Sequence, residues 1–343
     1  MGRFSWSIAA AAQVFLGVAP IAFAAPAAHA PDDYVYAGSI DFGAPGAWDY
    51  ASFDRGRLYI GHSDAIAVID TVTGKVVGSA GPLNHAHGAV ADAAIGMGFA
   101  TSGGDGLVKE FRLSDLSAVK DIPVGPDVDG IVFDPGTGQV LVALGDGKKL
   151  AIIDAKAGAV ARQVDLPGEP EFIAADGHGK AFVNIASTGQ LSKIDVASGR
   201  IDATWPLTGC RSPHGLAYDH HTHRLFAGCA NAVVVAMDPK DGRILATLPA
   251  GPFNDAMLVD EARGRVFCPN GDGTLTVIDE GPGDAYSVAR TIPTFLGARS
   301  GAIDQATGTL YLTYGAITIK SRDASGVTFG WTGGKVAVFK PND

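Results

Sequence analysis

The chain lacks the linear signatures of the common soluble enzymes. It has no C-x-x-C-H pair, no G-x-x-x-x-G-K-[ST] loop, no G-x-S-x-G elbow and no H-E-x-x-H helix. Covalent haem attachment, a P-loop, a hydrolase nucleophile elbow and a zinc-peptidase helix are therefore excluded as motif readings. Basic residues are scarce: 26 Lys and Arg face 36 Asp and Glu, a net charge of -10. Nucleic-acid binding rests on Lys and Arg contacts to phosphate, so that partner class is excluded as well. Long amphipathic helices are missing. After residue 30 no apolar run is long enough to span a bilayer, so the chain is not expected to span a membrane. Cysteine is nearly absent: three residues permit one disulfide and leave one thiol over.

The first thirty residues carry Arg3, then "IAAAAQVFLGVAPIAFA", then "AAPAAHA". The apolar core is short and interrupted by Gly17 and Pro20, which reads as a secretory signal peptide over residues 1–30. Cleavage after Ala30 fits the A-x-A rule but leaves Pro31 next, and cleavage after Ala24 is the alternative. The expectation is a periplasmic or secreted protein whose residues 31–343 form one domain.

What is abundant is glycine, 46 residues, with 19 prolines. Both suit short strands joined by tight turns. One unit recurs along the chain: apolar strand, Asp, Gly-containing turn, strand, Gly-rich turn, strand ending in Asp, turn, strand. "DGIVFDPGTGQVLVALGDGKKLAIIDAKAGAVARQVDLPGEP" and "EFIAADGHGKAFVNIASTGQLSKIDVASGRIDATWPLTGCRSP" are two copies, and others begin at "DYASFD", "HGAVAD", "HGLAYD", "DAMLVD" and "RSGAID". Seven units of about 42 residues with four strands each predict an all-β, seven-bladed β-propeller with four-stranded blades. The last unit lacks its outermost strand. The alternating segment "YVYAGSIDF", residues 34–42, is expected to close the ring by pairing into that blade.

"FNDAMLVDEARGRVFCPNGDGTLTVID", "GARSGAIDQATGTLYL" and "SPHGLAYDHHTHRLFAGC" resemble the YncE-like, YVTN-repeat family of secreted bacterial propellers. The likeness covers all seven units. It implies a seven-bladed fold and export; activity does not follow from it, because scaffold residues carry the family pattern.

Aligning the units places His220, His221 and His223 of "DHHTHRLF" in the turn between a blade's first and second strands, with His223 at the turn glycine's position. They read as solvated turn residues, adventitious metal binding being the alternative. "GGDG", "LGDG" and "NGDG" occupy one repeated hairpin position and are turns. "DVDG" lacks the remaining ligands of a calcium loop.

His214 stands five residues before the blade's Asp219. The same column holds Asp49, His87, Asp129, Glu171, His214, Asp255 and Arg299. All seven are ionisable types, and the column opens the innermost strand of each blade. These side chains are expected to form one ring at one mouth of the central channel. His62, Cys229 and Asn270 share a second column expected at that mouth, and His85 lies beside His87. Cys210 and Cys229 fall at the same mouth of one blade, which makes them the expected disulfide pair, with Cys268 a buried hydrophobe. Residues 314–334 form an elongated connection in blade seven, expected to reach over the ligand face with Phe329 and Trp331 as a lid or partner-binding arm.

Three functions fit. The first is a monomeric exported module that binds a small ligand, a metal ion or a periplasmic protein through the ring, His62, Asn270 and Trp331. The second is a metal-dependent, lactonase-like hydrolase or lyase. One divalent ion would lie on Glu171, Asp129, Asp255 and His214, with His214 or His87 as acid/base and Arg299 facing an anionic intermediate. The third is a structural scaffold that works through loop 314–334.

Overall fold

The computed structural model of the protein describes residues 34–43, 47–323 and 326–342, in which every regular element is a β-strand. The leader expected over residues 1–30, with its cleavage after Ala24 or Ala30, lies outside the described residues. No helix among the described residues is long and apolar enough to cross a membrane.

The strands form seven four-stranded antiparallel sheets. Six take their strands in chain order. The seventh is ordered with the N-terminal strand Tyr34–Gly43 outermost, against the C-terminal strand Gly326–Pro341, in a register running from Tyr34 opposite Pro341 to Gly43 opposite Gly334. The expected closure of the ring is thus present. The Tyr34 hydroxyl also donates to Asp260, so the closing strand is tied to blade six.

The apolar core is divided into seven clusters, one at each junction between neighbouring blades. Phe99 and Val142 belong to the junction of blades two and three, for example, and Phe226 and Val266 to that of five and six. Alternate residues of the middle strands enter opposite junctions, so both faces of each sheet are buried. This is why those strands read as nearly continuous apolar runs.

In most units the recurring Asp closes the first turn. Asp134 Oδ1 accepts Gly136 N at 3.0 Å, and Asp219 Oδ1 accepts the amides of His221 and Thr222 at 2.6 and 2.8 Å. These are Asx turns, which fix the hairpin without the side chain leaving it. His223 has φ 55°, as its place at a turn-glycine position requires. His220 pairs with Glu261 at 2.8 Å and His223 with the Tyr218 hydroxyl at 3.0 Å. The three histidines therefore lie at the mouth opposite the ring column.

Cys210 and Cys229 are disulfide-bonded with 5.4 Å between their Cα atoms, and Cys268 is free and buried. In blade seven, strands Thr309–Asp323 and Gly326–Pro341 pair out to Asp323 opposite Gly326, so the long connection at residues 314–334 is a continuous hairpin. The backbone of Trp331 pairs with Ile317. The side chains of Phe329 and Trp331 lie outside the described residues.

Candidate functional site at the channel mouth

Asp49, His87, Asp129, Glu171 and His214 each occupy the second position of an innermost strand: Trp48–Asp54, Ala86–Asp92, Val128–Asp134, Pro170–Ala175 and Pro213–Asp219. Asp255 and Arg299 lie just ahead of the innermost strands Leu258–Asp260 and Ser300–Asp304. In the first five blades the pairing to the second strand skips the column residue and the one after it. Trp48 lies opposite His62 and Ala51 opposite Ile60, so Asp49 and Tyr50 together face Gly61. Such a bulge bends the strand and re-aims two successive side chains. Its freed backbone groups are satisfied locally: Gly88 N donates to Thr101 Oγ1 at 3.0 Å, and the Asn184 amide donates to the carbonyls of His214 and Gly215 at 3.1 and 3.0 Å.

The seven column residues meet in two chains of contacts. In the first, His87 Nδ1 lies 2.7 Å from Asp49 Oδ2 and 3.2 Å from Asp129 Oδ1. In the second, His214 Nδ1 lies 3.0 Å from Glu171 Oε1 and 3.6 Å from Asp255 Oδ1, and Arg299 Nε lies 2.7 Å from Asp255 Oδ2. The Ser212 hydroxyl is 3.1 Å from the other nitrogen of His214.

Burial disfavours the charged form of His87, yet the hydrogen bond it donates to Asp49 and the field of Asp129 outweigh it and raise the imidazole to about 9. His214 is raised in the same way, burial opposing and Glu171 prevailing. Burial pushes Asp255 up to about 6 against the pull of Arg299. Asp129 is raised well above the usual carboxylate range by burial and by Glu171. Four carboxyls face three cationic side chains, so the ring pairs most of its own charge.

Beneath the ring two aromatic side chains cross the channel. The residues one place after the column are Tyr50, Gly88, Gly130, Phe172, Gly215, Ala256 and Ser300. Tyr50 of blade one and Phe172 of blade four meet across the axis with ring centroids 4.9 Å apart, and the Tyr50 hydroxyl donates to Glu171 at 3.3 Å. The small residues make room. A Cβ on Gly130 would lie 2.7 Å from the Glu171 carbonyl, and one on Gly88 would lie 3.3 Å from Tyr50. Two aromatics among five small residues in one column is a signal the sequence carries, although the sequence reading missed it.

Other expected residues do not reach the ring. Asn270 is fully buried, and its amide donates to the Thr274 and Thr276 hydroxyls at 3.1 and 3.0 Å within its own blade. His62 packs edge-on against Phe42 with centroids 5.4 Å apart. His85 does adjoin the ring, 4.5 Å from His87 between centroids. Among the described residues, the metal-capable donors that gather within 4.8 Å of one another are Asp49, His87 and Asp129. Of the four ligands expected from the sequence only Asp129 belongs to that group; Glu171, His214 and Asp255 form the second chain of contacts.

Two exposed apolar side chains, also missed in the sequence, lie in the loops just ahead of two members of the second chain. Phe253 and Leu296 are 58% and 60% exposed, in the loops that lead to Asp255 and Arg299. Those loops are stitched together through the blade-six hairpin, where Gly271 N donates to the Phe253 carbonyl at 3.1 Å and Gly297 N to the Gly271 carbonyl at 2.9 Å.

No family model and no curated protein matches the chain. Among solved structures, hydrazine synthase of Kuenenia stuttgartiensis matches with a TM-score of 0.69 at 15% identity, covering 88% of this chain and 99% of that one. At that identity the likeness bears on the fold alone. The resemblance to YncE-like proteins rests on the sequence segments, and the shared propeller fold is what the comparison adds.

Proposed function

We propose that the protein is an exported binding module whose ring mouth takes a small organic anion with an apolar body. The observation that carries this reading is Arg299. Its side chain is 46% exposed although its Nε is fixed at 2.7 Å by Asp255, and a guanidinium held by one nitrogen keeps further donors for a carboxylate. Phe253 and Leu296 are exposed apolar side chains in the loops that lead to Asp255 and Arg299. The Tyr50 and Phe172 pair stops a ligand from passing down the axis, which makes the mouth a shallow seat. A disulfide suits an oxidising compartment, in keeping with export.

Titration with 3-phenylpropanoate and its neutral amide tests this calorimetrically. The acid should bind and the amide should not, and Arg299→Gln should weaken the acid by about 10- to 100-fold, the range of one charge-assisted hydrogen bond. Equal binding of acid and amide, or an unaffected Arg299→Gln, sinks the reading.

One observation favours a second reading, a divalent cation with the hydrolytic chemistry it would support: the donors of Asp49, His87 and Asp129 converge within 4.8 Å. The His87 proton must leave before a metal can bind there. Zinc affinity should then climb with pH up to about 9 and vanish in His87→Gln. A pH-independent affinity speaks against it.

A further inference from the structure

The mouth opposite the ring opens into a second cavity. It measures about 630 Å³ and follows the innermost strands of blades one to three from Tyr50 and Phe172 down to the turn residues Asp54, Arg55 and Asp92. None of the seven ring residues lines it. Its wall is largely apolar, with Val90, Ile131 and Phe133 contributing, and its volume lies within the range of small-molecule sites.

Its rim carries Asp54 and Asp92 beside Arg55, and the two carboxylates are poorly satisfied. In most blades the turn aspartate spends its carboxylate on its own turn, as Asp134 does with Gly136 N and the Thr137 hydroxyl. The first turn of blade one has only two residues, Arg55 at φ 44° and Gly56 at φ 79°, with Asp54 opposite Arg57. Among the described residues no hydrogen bond reaches the Asp54 carboxylate. Asp92 is 6% exposed and accepts a single amide, Ala94 N at 3.0 Å, on Oδ1. Asp54 feels its neighbours: burial raises it, Arg55 beside it pulls back, and Asp92 raises it further. Arg55 itself is exposed. A pair of under-bonded carboxylates over an apolar chamber calls for a cationic group attached to an apolar body. The net charge of -10 draws such a ligand in.

We propose that this lower cavity is a second binding site, for a primary amine carrying an aromatic or alkyl body, with the ammonium between Asp54 and Asp92 and the body against Ile131 and Phe133. It is independent of the ring, from which Tyr50 and Phe172 divide it.

The test is calorimetric titration with 4-phenylbutylamine and with 4-phenylbutan-1-ol, which shares the body but has no charge. The amine should bind at least about tenfold more tightly than the alcohol. Asp54→Asn and Asp92→Asn should each weaken the amine by about tenfold or more while leaving the alcohol unchanged. Arg299→Gln should leave both as they are. Asp54 caps no turn, so its variant is expected to keep the wild-type melting profile; where Asp92→Asn lowers it, Asp54→Asn alone decides. Nuclear Overhauser contacts from the amine's phenyl protons to Phe133 and Ile131 locate the body. Equal affinity of amine and alcohol, an unchanged Asp54→Asn, contacts elsewhere or no binding at all would each overturn the proposal.

Discussion

His87 Nδ1 lies 2.7 Å from Asp49 Oδ2, a contact that crosses the boundary between blades one and two. The imidazole is thereby raised from 6.5 to about 9. A histidine raised in the folded state contributes stability that is complete below its ordinary value and is lost as pH climbs through the folded one. Melting temperature should therefore fall between pH 6.5 and about 9. His87→Gln should flatten that part of the profile. A wild-type and variant pair with parallel curves over this window would show that the contact does not hold the proton.

The aromatic pair beneath the ring predicts opposite outcomes for two small changes. Gly130→Ala inserts a methyl 2.7 Å from the Glu171 carbonyl and 3.3 Å from Phe172, overpacking that should cost about 1–3 kcal/mol in urea unfolding. Tyr50→Phe keeps the ring against Phe172 and gives up only the 3.3 Å hydrogen bond to Glu171, so it should cost no more than about 1 kcal/mol. If Tyr50→Phe is the more damaging of the two, the hydroxyl rather than the ring closes the channel.

The ring column is legible in the sequence because repetition supplies its own alignment: an Asp ends or directly follows the innermost strand of each unit, and counting back five residues reaches an ionisable type every time. The second column is misleading for a physical reason. His62, Cys229 and Asn270 end second strands, which lie away from the axis, and their side chains enter the junctions between blades; Asn270 is bonded wholly inside its own sheet. The aromatic closure was overlooked because strict alternation puts Tyr50 on the opposite face from Asp49, and the bulge that brings both to the axis has no period to reveal it. Contacts within the ring depend on distances between blades, which no single unit encodes.

The closing strand supports a direct test. Tyr34–Gly43 covers the outer edge of the C-terminal strand, and Tyr34 packs on Phe267 with centroids 4.6 Å apart. Deleting residues 31–43 leaves that edge bare and removes a hydroxyl from the buried Asp260. An unpaired edge invites pairing between chains. The truncated protein should elute as larger species on size exclusion and be cut faster by protease than the full chain. A truncated monomer with unchanged melting would show that the ring closes without this strand.

The last prediction arises where one blade breaks the pattern of its siblings. In D-x-x-T turns the threonine hydroxyl normally returns to the aspartate: Thr137 donates to Asp134 Oδ2 at 2.7 Å and Thr307 to Asp304 Oδ2 at 2.8 Å. Thr222 instead donates to Glu280 Oε2 at 3.2 Å, from the neighbouring blade. Asp219 Oδ2 and Glu280 Oε1 are then buried without a hydrogen-bond partner of their own, and the two carboxyls lie within reach of each other. Two such groups are stable together only while they share a proton. Burial first, and Asp219 second, push Glu280 from 4.5 up to about 8. A carboxyl raised on folding takes up a proton as the chain folds, so its contribution is complete below 4.5 and lost as pH rises through about 8. Glu280→Gln carries a permanent donor to Asp219 and cannot ionise. Its melting temperature should match the wild type near pH 5 and exceed it near pH 9, the gap widening as pH climbs from about 5 and levelling off near pH 8. A gap already present at pH 5, or none at pH 9, would mean that the two blades are not joined by a proton at this turn.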